Sequence, residues 1–149
     1  GNDVRIVFKH NPLPFHNRAT PAAKASLCAQ DQGKFWQFHD LIFDNQPKLE
    51  DADLESYARS VGLDVGKWKG CFAGAENDPR IAEEQRIATS FGARGTPAFF
   101  INGRFLSGAQ PIENFSNLIE EELKKAKASG VARGSYYNDR ILSQGQKAM

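Results

Sequence analysis

The sequence has no Cys-x-x-Cys. Its 149 residues hold two cysteines, Cys28 and Cys71, far apart in the chain and without zinc-ligand spacing. Charge of one sign is also missing. There are 19 basic against 18 acidic residues, net +1, with no long run of either sign. Nothing therefore points to nucleic acid or a membrane surface as a partner. No stretch approaches the roughly 20 apolar residues that cross a bilayer. A Gly-rich phosphate loop, a G-x-S-x-G elbow and a paired-carboxylate signature are all absent. Internal repeats and low-complexity linkers are absent too. The chain opens Gly1-Asn2-Asp3, with no starting Met and no signal-peptide pattern. It thus reads as a segment of a longer precursor, and its opening does not reveal a compartment.

What is present suits one domain: 40% apolar residues, 11% aromatics and a length of 149. Val4, Ile6 and Phe8 alternate with Val7 between them, which predicts a mostly buried strand from Val4 to Lys9. Pro12 and Pro14 break it. A helix then starts at Pro21 with Ala22, Ala25, Cys28 and Ala29 on its inner face, and Gly33 ends it. Lys34 to Gln46 is the most aromatic stretch and reads as a helix with Phe35, Phe38, Leu41 and Ile42 inward, stopped by Pro47. Further helices carry Leu54, Tyr57, Ala58 and Val61, then Val65, Trp68, Cys71 and Phe72 behind an Asp64 cap. Asp78-Pro79 opens another, with Ile81, Gln85, Ala88 and Phe91 roughly on one face.

The period then changes. "PAFFI", "NG" and "RFLSG" predict two strands joined by Asn102-Gly103, because both turn positions of a type I′ hairpin need φ > 0. Pro111 starts a long helix with Ile112, Phe115, Leu118, Ile119 and Leu123 as its stripe. Glu113 and the late lysines suit the helix dipole, and Glu120–Lys124 and Glu121–Lys125 are expected as i,i+4 pairs. "SYYNDRIL" reads as a short helix in a polar tail. The order is strand, about five helices, hairpin, helix.

Pro97 alone reads as the first residue of an edge strand with an ordinary trans bond. Its neighbours add more. Gly95-Thr96-Pro97 before an apolar strand, the Asn-Gly-Arg hairpin, "SGAQP" and the long amphipathic helix resemble the C-terminal half of a DsbA-like thiol–disulfide oxidoreductase. "VFKHNPLPFH", "PAAKASLCAQDQGKFWQFHDLIFDNQ" and "LESYARSVGLD" resemble the strand and helical insertion of the same family, so the likeness runs from Val4 to Leu123.

The resemblance implies an α/β, thioredoxin-like fold interrupted by an α-helical insertion. Its thioredoxin parts are about 3–12 and 93–128, the insertion about 17–92 and the polar tail about 129–149, all within one partial domain over 1–149. It implies a cis proline at Pro97, with Gly95, Thr96 and Pro97 as a client-binding loop facing a Cys-x-x-Cys at a helix N-terminus, where the helix end lowers the first thiol's pKa. This sequence has no counterpart to that motif. The strand–helix unit carrying it is expected to be missing, so the 149 residues alone are expected to be catalytically incomplete. The absent strand belongs between the Val4–Lys9 and Pro97–Ile101 strands. Its gap is left to a segment outside this chain, to direct parallel pairing of the two strands, or to a second copy in a homo-oligomer.

The resemblance further implies disulfide exchange on unfolded or extended protein clients, a redox partner protein, a periplasmic or otherwise extracytoplasmic location, and no cofactor. Cys28 and Cys71 lie on apolar helix faces. They are either two buried thiols or a structural disulfide, and the disulfide is favoured where oxidation is available. His10, His16 and His39 show no metal-site spacing, so no metal is expected. Trp36, Phe38, Phe43 and Trp68 read as core rather than as a ligand pocket. Two alternatives stand beside this reading: a kappa-class glutathione transferase or isomerase relative, and a non-catalytic thioredoxin-fold binding module. The direction of exchange depends on the dipeptide between the redox cysteines, which is not here.

Overall fold

A computed structural model describes residues 3–145. Gly1 and Asn2 at the expected opening, and the last four residues of the expected tail (146–149), lie outside the described residues. The chain is a helix-rich α/β protein that separates into two compact units. One is Lys9–Arg86; the other takes the flanking residues, through Phe8 and from Ile87 onward.

The first unit is helical: α1 (Ala19–Gln30), α2 (Phe35–Asp44), α3 (Asp51–Ser60), α4 (Val65–Ala73) and most of α5 (Asp78–Ser90). Each turn between them has a local cause. Gly33 and Gly62 follow α1 and α3 with φ of +72° and +76°, a region that suits glycine. Glu50 and Asp53 form a reciprocal capping box at the start of α3. Asp64 accepts the Lys67 N–H at 3.0 Å at the start of α4. Helix α1 begins two residues before Pro21, at Ala19, and Pro21 falls within its first turn, where no N–H is needed.

The core of this unit gathers Ala25, Cys28, Ala29, Phe38, Leu54, Ala58, Leu63 and Trp68. The small residues of α1 let α2 and α4 approach closely. Trp68 is buried whole, and its indole N–H donates to the Ala25 carbonyl at 3.0 Å. Of the four aromatics read as core, Phe38 and Trp68 are. Trp36 and Phe43 are instead 45% and 53% exposed, because α2 turns Phe38 and Ile42 inward and leaves Trp36 and Phe43 outward.

The second unit contains the one sheet of the described residues, an antiparallel pair of β1 (Ala98–Ile101) and β2 (Arg104–Ser107). Asn102 and Gly103 join them with φ of 49° and 86°, as the type I′ spacing predicts. Helix α6 (Ile112–Ala128) follows, then α7 (Arg133–Tyr136) and a π-helical segment Tyr137–Leu142 where "SYYNDRIL" reads as helix. Arg104 of β2 reaches α6 and donates to Glu121 at 2.6 Å and Glu122 at 3.2 Å, while Lys125 pairs with Glu122 at 2.6 Å. The expected Glu121–Lys125 pair thus gives way to a tertiary bridge, which also carries the long hairpin arginine over the helix.

The Val4–Lys9 segment corrects the sequence reading. It is not a strand, and Val4, Ile6 and Val7 are 51%, 73% and 57% exposed. A strand exists through its ladder, and among the described residues no strand lies beside this one. Direct parallel pairing with β1 does not occur. The segment is held elsewhere: Asp3 pairs with Arg133 at 3.0 Å, and the Arg5 guanidinium lies 5.4 Å over the Tyr137 ring.

Candidate functional site

The Gly95-Thr96-Pro97 loop sits between the end of α5 and the head of β1. Helix α5 closes at Gly92, with φ +82°, and the Ala93 N–H bonds back to the Ala88 carbonyl at 2.9 Å. Ala93 is buried and anchors the chain there. The next four residues, Arg94 to Pro97, are exposed. The Thr96–Pro97 peptide bond is cis. On the far side of the loop, the Pro97 carbonyl accepts the Gly108 N–H at 2.9 Å, which extends the hairpin by one rung.

That rung sets which backbone groups face outward. A two-residue turn makes Ile101 and Arg104 a hydrogen-bonded pair, and such pairs recur at alternate residues. In the observed register Phe99 opposes Leu106, and the next rung is Pro97 with Gly108. Phe99 and Ile101 therefore turn their N–H and C=O toward β2. Ala98 and Phe100 turn theirs to the outer edge, where no strand among the described residues meets them. Nor does any backbone hydrogen bond among the described residues involve Thr96.

The side chains flank this edge on both faces. Phe99 meets Phe115 of α6 edge-on at 4.8 Å, while Phe100 meets Phe105 at 5.1 Å and Phe91 at 6.1 Å. Phe99, Phe100 and Phe105 still keep a third to a half of their surface in water. The loop and edge thus present unpaired backbone between apolar rings, which suits an extended polypeptide.

Cys28 and Cys71 belong to the helical unit. They form a disulfide that joins α1 to α4, with Cα atoms 5.8 Å apart. No free cysteine is left among the described residues. Asn77 points its side-chain Nδ2 at both sulfurs, 3.3 Å from Cys71 and 3.7 Å from Cys28. Asp31 Oδ2 lies 3.7 Å from the Cys71 sulfur. The pair has neither the spacing nor the exposed helix start of a redox dithiol, and its less accessible half, Cys28, is 1% exposed.

The histidines do not converge. Among the described residues no group of three or more His, Cys, Asp or Glu side chains could hold a metal ion. His10 is buried, and burial holds its imidazole at about 4, well below the usual 6.5, against the pull of Glu84. Glu84, missed by the sequence reading, is 4% exposed and acts as the hub of the Lys9–Pro12 loop. It accepts the His10 N–H at 2.7 Å, Arg80 Nε at 3.2 Å and Lys9 Nζ at 3.3 Å. Burial pushes its carboxyl up, but the His10 N–H and Arg80 outweigh that, and the net shift is downward. Next to it, Gln85 Nε2 donates to the Pro12 carbonyl at 2.6 Å. The signal was in the sequence: Glu84 falls three residues after Ile81, on the apolar stripe of α5.

A shallow hollow beside α1 is lined by Arg18, Lys24, Asp51, Phe72 and Asp78 among others. Arg18 is paired to Asp51, and Lys24 to Asp78 at 3.4 Å, so the hollow offers no unmatched charge to a ligand. No helix among the described residues is long and apolar enough to cross a membrane.

Comparison with known proteins adds a family. The model of the DSBA-like thioredoxin domain matches residues 2–120. Curated relatives include the Na(+)/H(+) antiporter NhaA 1 of Salinispora arenicola, 40% identical over 118 residues, which are 78% of this chain and 18% of the relative. The Na(+)/H(+) antiporter NhaA of Herminiimonas arsenicoxydans is 35% identical over 120 residues, 80% of this chain and 19% of the relative. The chain thus spans about a fifth of the length of these relatives. The likeness is to one region of them, and antiport is said of those proteins as wholes.

Proposed function

The chain belongs to the DSBA-like thioredoxin-domain family, a family of thiol–disulfide oxidoreductases, and on that premise we propose that it is the client-binding part of such an enzyme. The observation that carries this reading is the exposed cis Thr96–Pro97 loop, whose Thr96 backbone bonds to no other backbone among the described residues. An unfolded client lays an extended segment beside Pro97 and bonds to the free N–H and C=O of Thr96, while the Ala98 and Phe100 edge beyond it is where the strand missing from this chain belongs. Such recognition reads backbone more than sequence, which fits a protein that handles many unfolded chains.

The dithiol that completes the reaction comes from outside these 149 residues, on a strand–helix unit or a partner chain. Its thiolate attacks a client disulfide, or its disulfide accepts a client thiolate, through a mixed disulfide held beside Pro97. The working compartment is extracytoplasmic, where a bridge such as Cys28–Cys71 persists. A redox partner protein resets the dithiol.

The test uses an extended peptide with alkylated cysteines, titrated while the backbone amides of the chain are followed by NMR. Shifts concentrated at Gly95 and Thr96 are expected. No shifts, or shifts confined to Lys9–Arg86, overturn the reading. A second assay follows insulin reduction by the chain alone, and no turnover is expected. Turnover that is lost in the double variant Cys28→Ala, Cys71→Ala would make that pair catalytic and overturn its structural role. If peptide binds but no supplied dithiol ever couples to it, the chain is a binding module and the oxidoreductase reading falls.

A further inference from the structure

A protein that works among reactive thiols must keep its own structural bridge out of the exchange. The surroundings of Cys28–Cys71 bear on how. Cys28 packs in the helical core with Ala25, Leu54 and Trp68, while Cys71 is half-buried. An external thiolate therefore meets the Cys71 sulfur first. Attack there forms a mixed disulfide between the incoming sulfur and Cys71 and breaks the bond to Cys28. The electron pair leaves on Cys28 Sγ, which becomes a thiolate inside an apolar core, where burial disfavours charge.

Asp31 stands at the point of entry. Its Oδ2 is 3.7 Å from Cys71 Sγ. A bonded sulfur carries no proton, so this contact is not a hydrogen bond. It places a carboxylate beside the more accessible sulfur. An attacking sulfur within bonding reach of Cys71 Sγ, about 2 Å, lies within roughly 6 Å of that carboxylate from any direction. This is inside the Debye length of about 8 Å at physiological ionic strength. Asn77 acts the other way, since its amide would stabilise a thiolate on either sulfur. An amide dipole offsets only part of a full negative charge.

We propose that Asp31 is an electrostatic guard that slows exchange of the Cys28–Cys71 bridge with anionic thiols, so that the link between α1 and α4 outlasts the redox chemistry around it. Its purpose rests on the proposed redox function, but the guard itself is tested with neither client nor external dithiol, so its failure and the failure of that reading are distinguishable.

The experiment measures the rate at which the native bridge is reduced at pH 8, by alkylating free thiols and counting them by mass. Two probes are compared: glutathione, whose thiolate carries further carboxylates, and cysteamine, whose thiolate carries an ammonium. Asp31→Asn keeps the shape and the backbone bond from its N–H to the Leu27 carbonyl. Glutathione is expected to reduce the variant about three- to tenfold faster than the parent chain, with a much smaller gain for cysteamine. High salt is expected to remove most of the difference. Equal rates for parent and variant with glutathione overturn the proposal. So does equal acceleration by both probes, which would report local loosening rather than charge.

Discussion

The two units bury their apolar residues very differently. Among the described residues, every buried apolar side chain except Ala93 belongs to Lys9–Arg86. The sheet-bearing unit instead leaves Val4, Ile6, Val7, Phe99, Phe100, Phe105 and Ile112 substantially in water. Both are rich in apolar residues, so composition does not explain the contrast. Contact range does. The helical unit closes on itself through neighbouring helices, a reciprocal cap, a buried indole bond and a disulfide. The other unit has a two-stranded sheet with an open edge, and a hairpin of that size is marginal without further strands or packing. Buried core is concentrated in one unit and exposed apolar surface in the other.

Four measurements break or sharpen that contrast. The largest effect is expected from the double variant Cys28→Ala, Cys71→Ala. The bridge closes a span of 43 residues, and losing it is expected to remove about 4 kcal/mol from chemical denaturation of the helical unit in the chain-entropy model. Next is acid. The unfolded imidazole of His10 takes a proton near 6.5, the folded one only near 4. Between those values the unfolded chain binds more protons, so stability falls as pH drops through the window. The expected loss from His10 is about 3 kcal/mol at roughly 1.4 kcal/mol per unit. At still lower pH Glu84 adds a further loss, because its folded carboxyl is held under its ordinary value and the unfolded chain takes up that proton first. Denaturation curves from pH 7 to 4 should be flatter for His10→Gln; an unchanged slope would mean His10 is not the group responsible.

Third, Glu84→Ala strands the buried His10 N–H and is expected to cost about 2 kcal/mol, with faster proteolysis of the Lys9–Pro12 loop. A silent substitution would show that Glu84 does not hold that loop. The smallest effect is expected in the open unit. Phe100→Ala removes a ring that is already 45% exposed, so its destabilisation should stay below about 1 kcal/mol. A loss above 3 kcal/mol would show that the sheet-bearing unit has a core after all.

Much of this was legible in the residues, and what was not failed for definable reasons. Asn102-Gly103 announced its hairpin because a type I′ turn has narrow backbone requirements. Helix ends at Gly33, Gly62 and Gly92 were readable for the same kind of reason. The alternating Val4–Phe8 segment has the pattern of a strand but not the ladder, since pattern speaks for side chains and a strand also needs a partner's backbone. Trp36 and Phe43 look like core by composition, yet α2 has room for only one buried face. The pairs that depend on distance in space rather than along the chain, Arg104 to Glu121 and Asp31 beside Cys71, leave no local trace. At the candidate loop, Gly95-Thr96-Pro97 was recognisable as a unit, whereas the outward parity of Ala98 and Phe100 required the observed register.

That parity has a consequence of its own. The rung between Pro97 and Gly108 and the two-residue turn at Asn102-Gly103 bracket β1 at both ends. Together they behave as an odd–even counter: odd residues speak to β2, even residues to whatever arrives. Inserting one residue between Pro97 and Ala98 would leave every ring and helix in place in the list of parts, yet Thr96 and the outward amides of β1 would no longer be in step. A docked chain would find its hydrogen bonds out of phase at the loop. The message this edge sends is thus carried less by any side chain than by the count of residues between a proline and a turn.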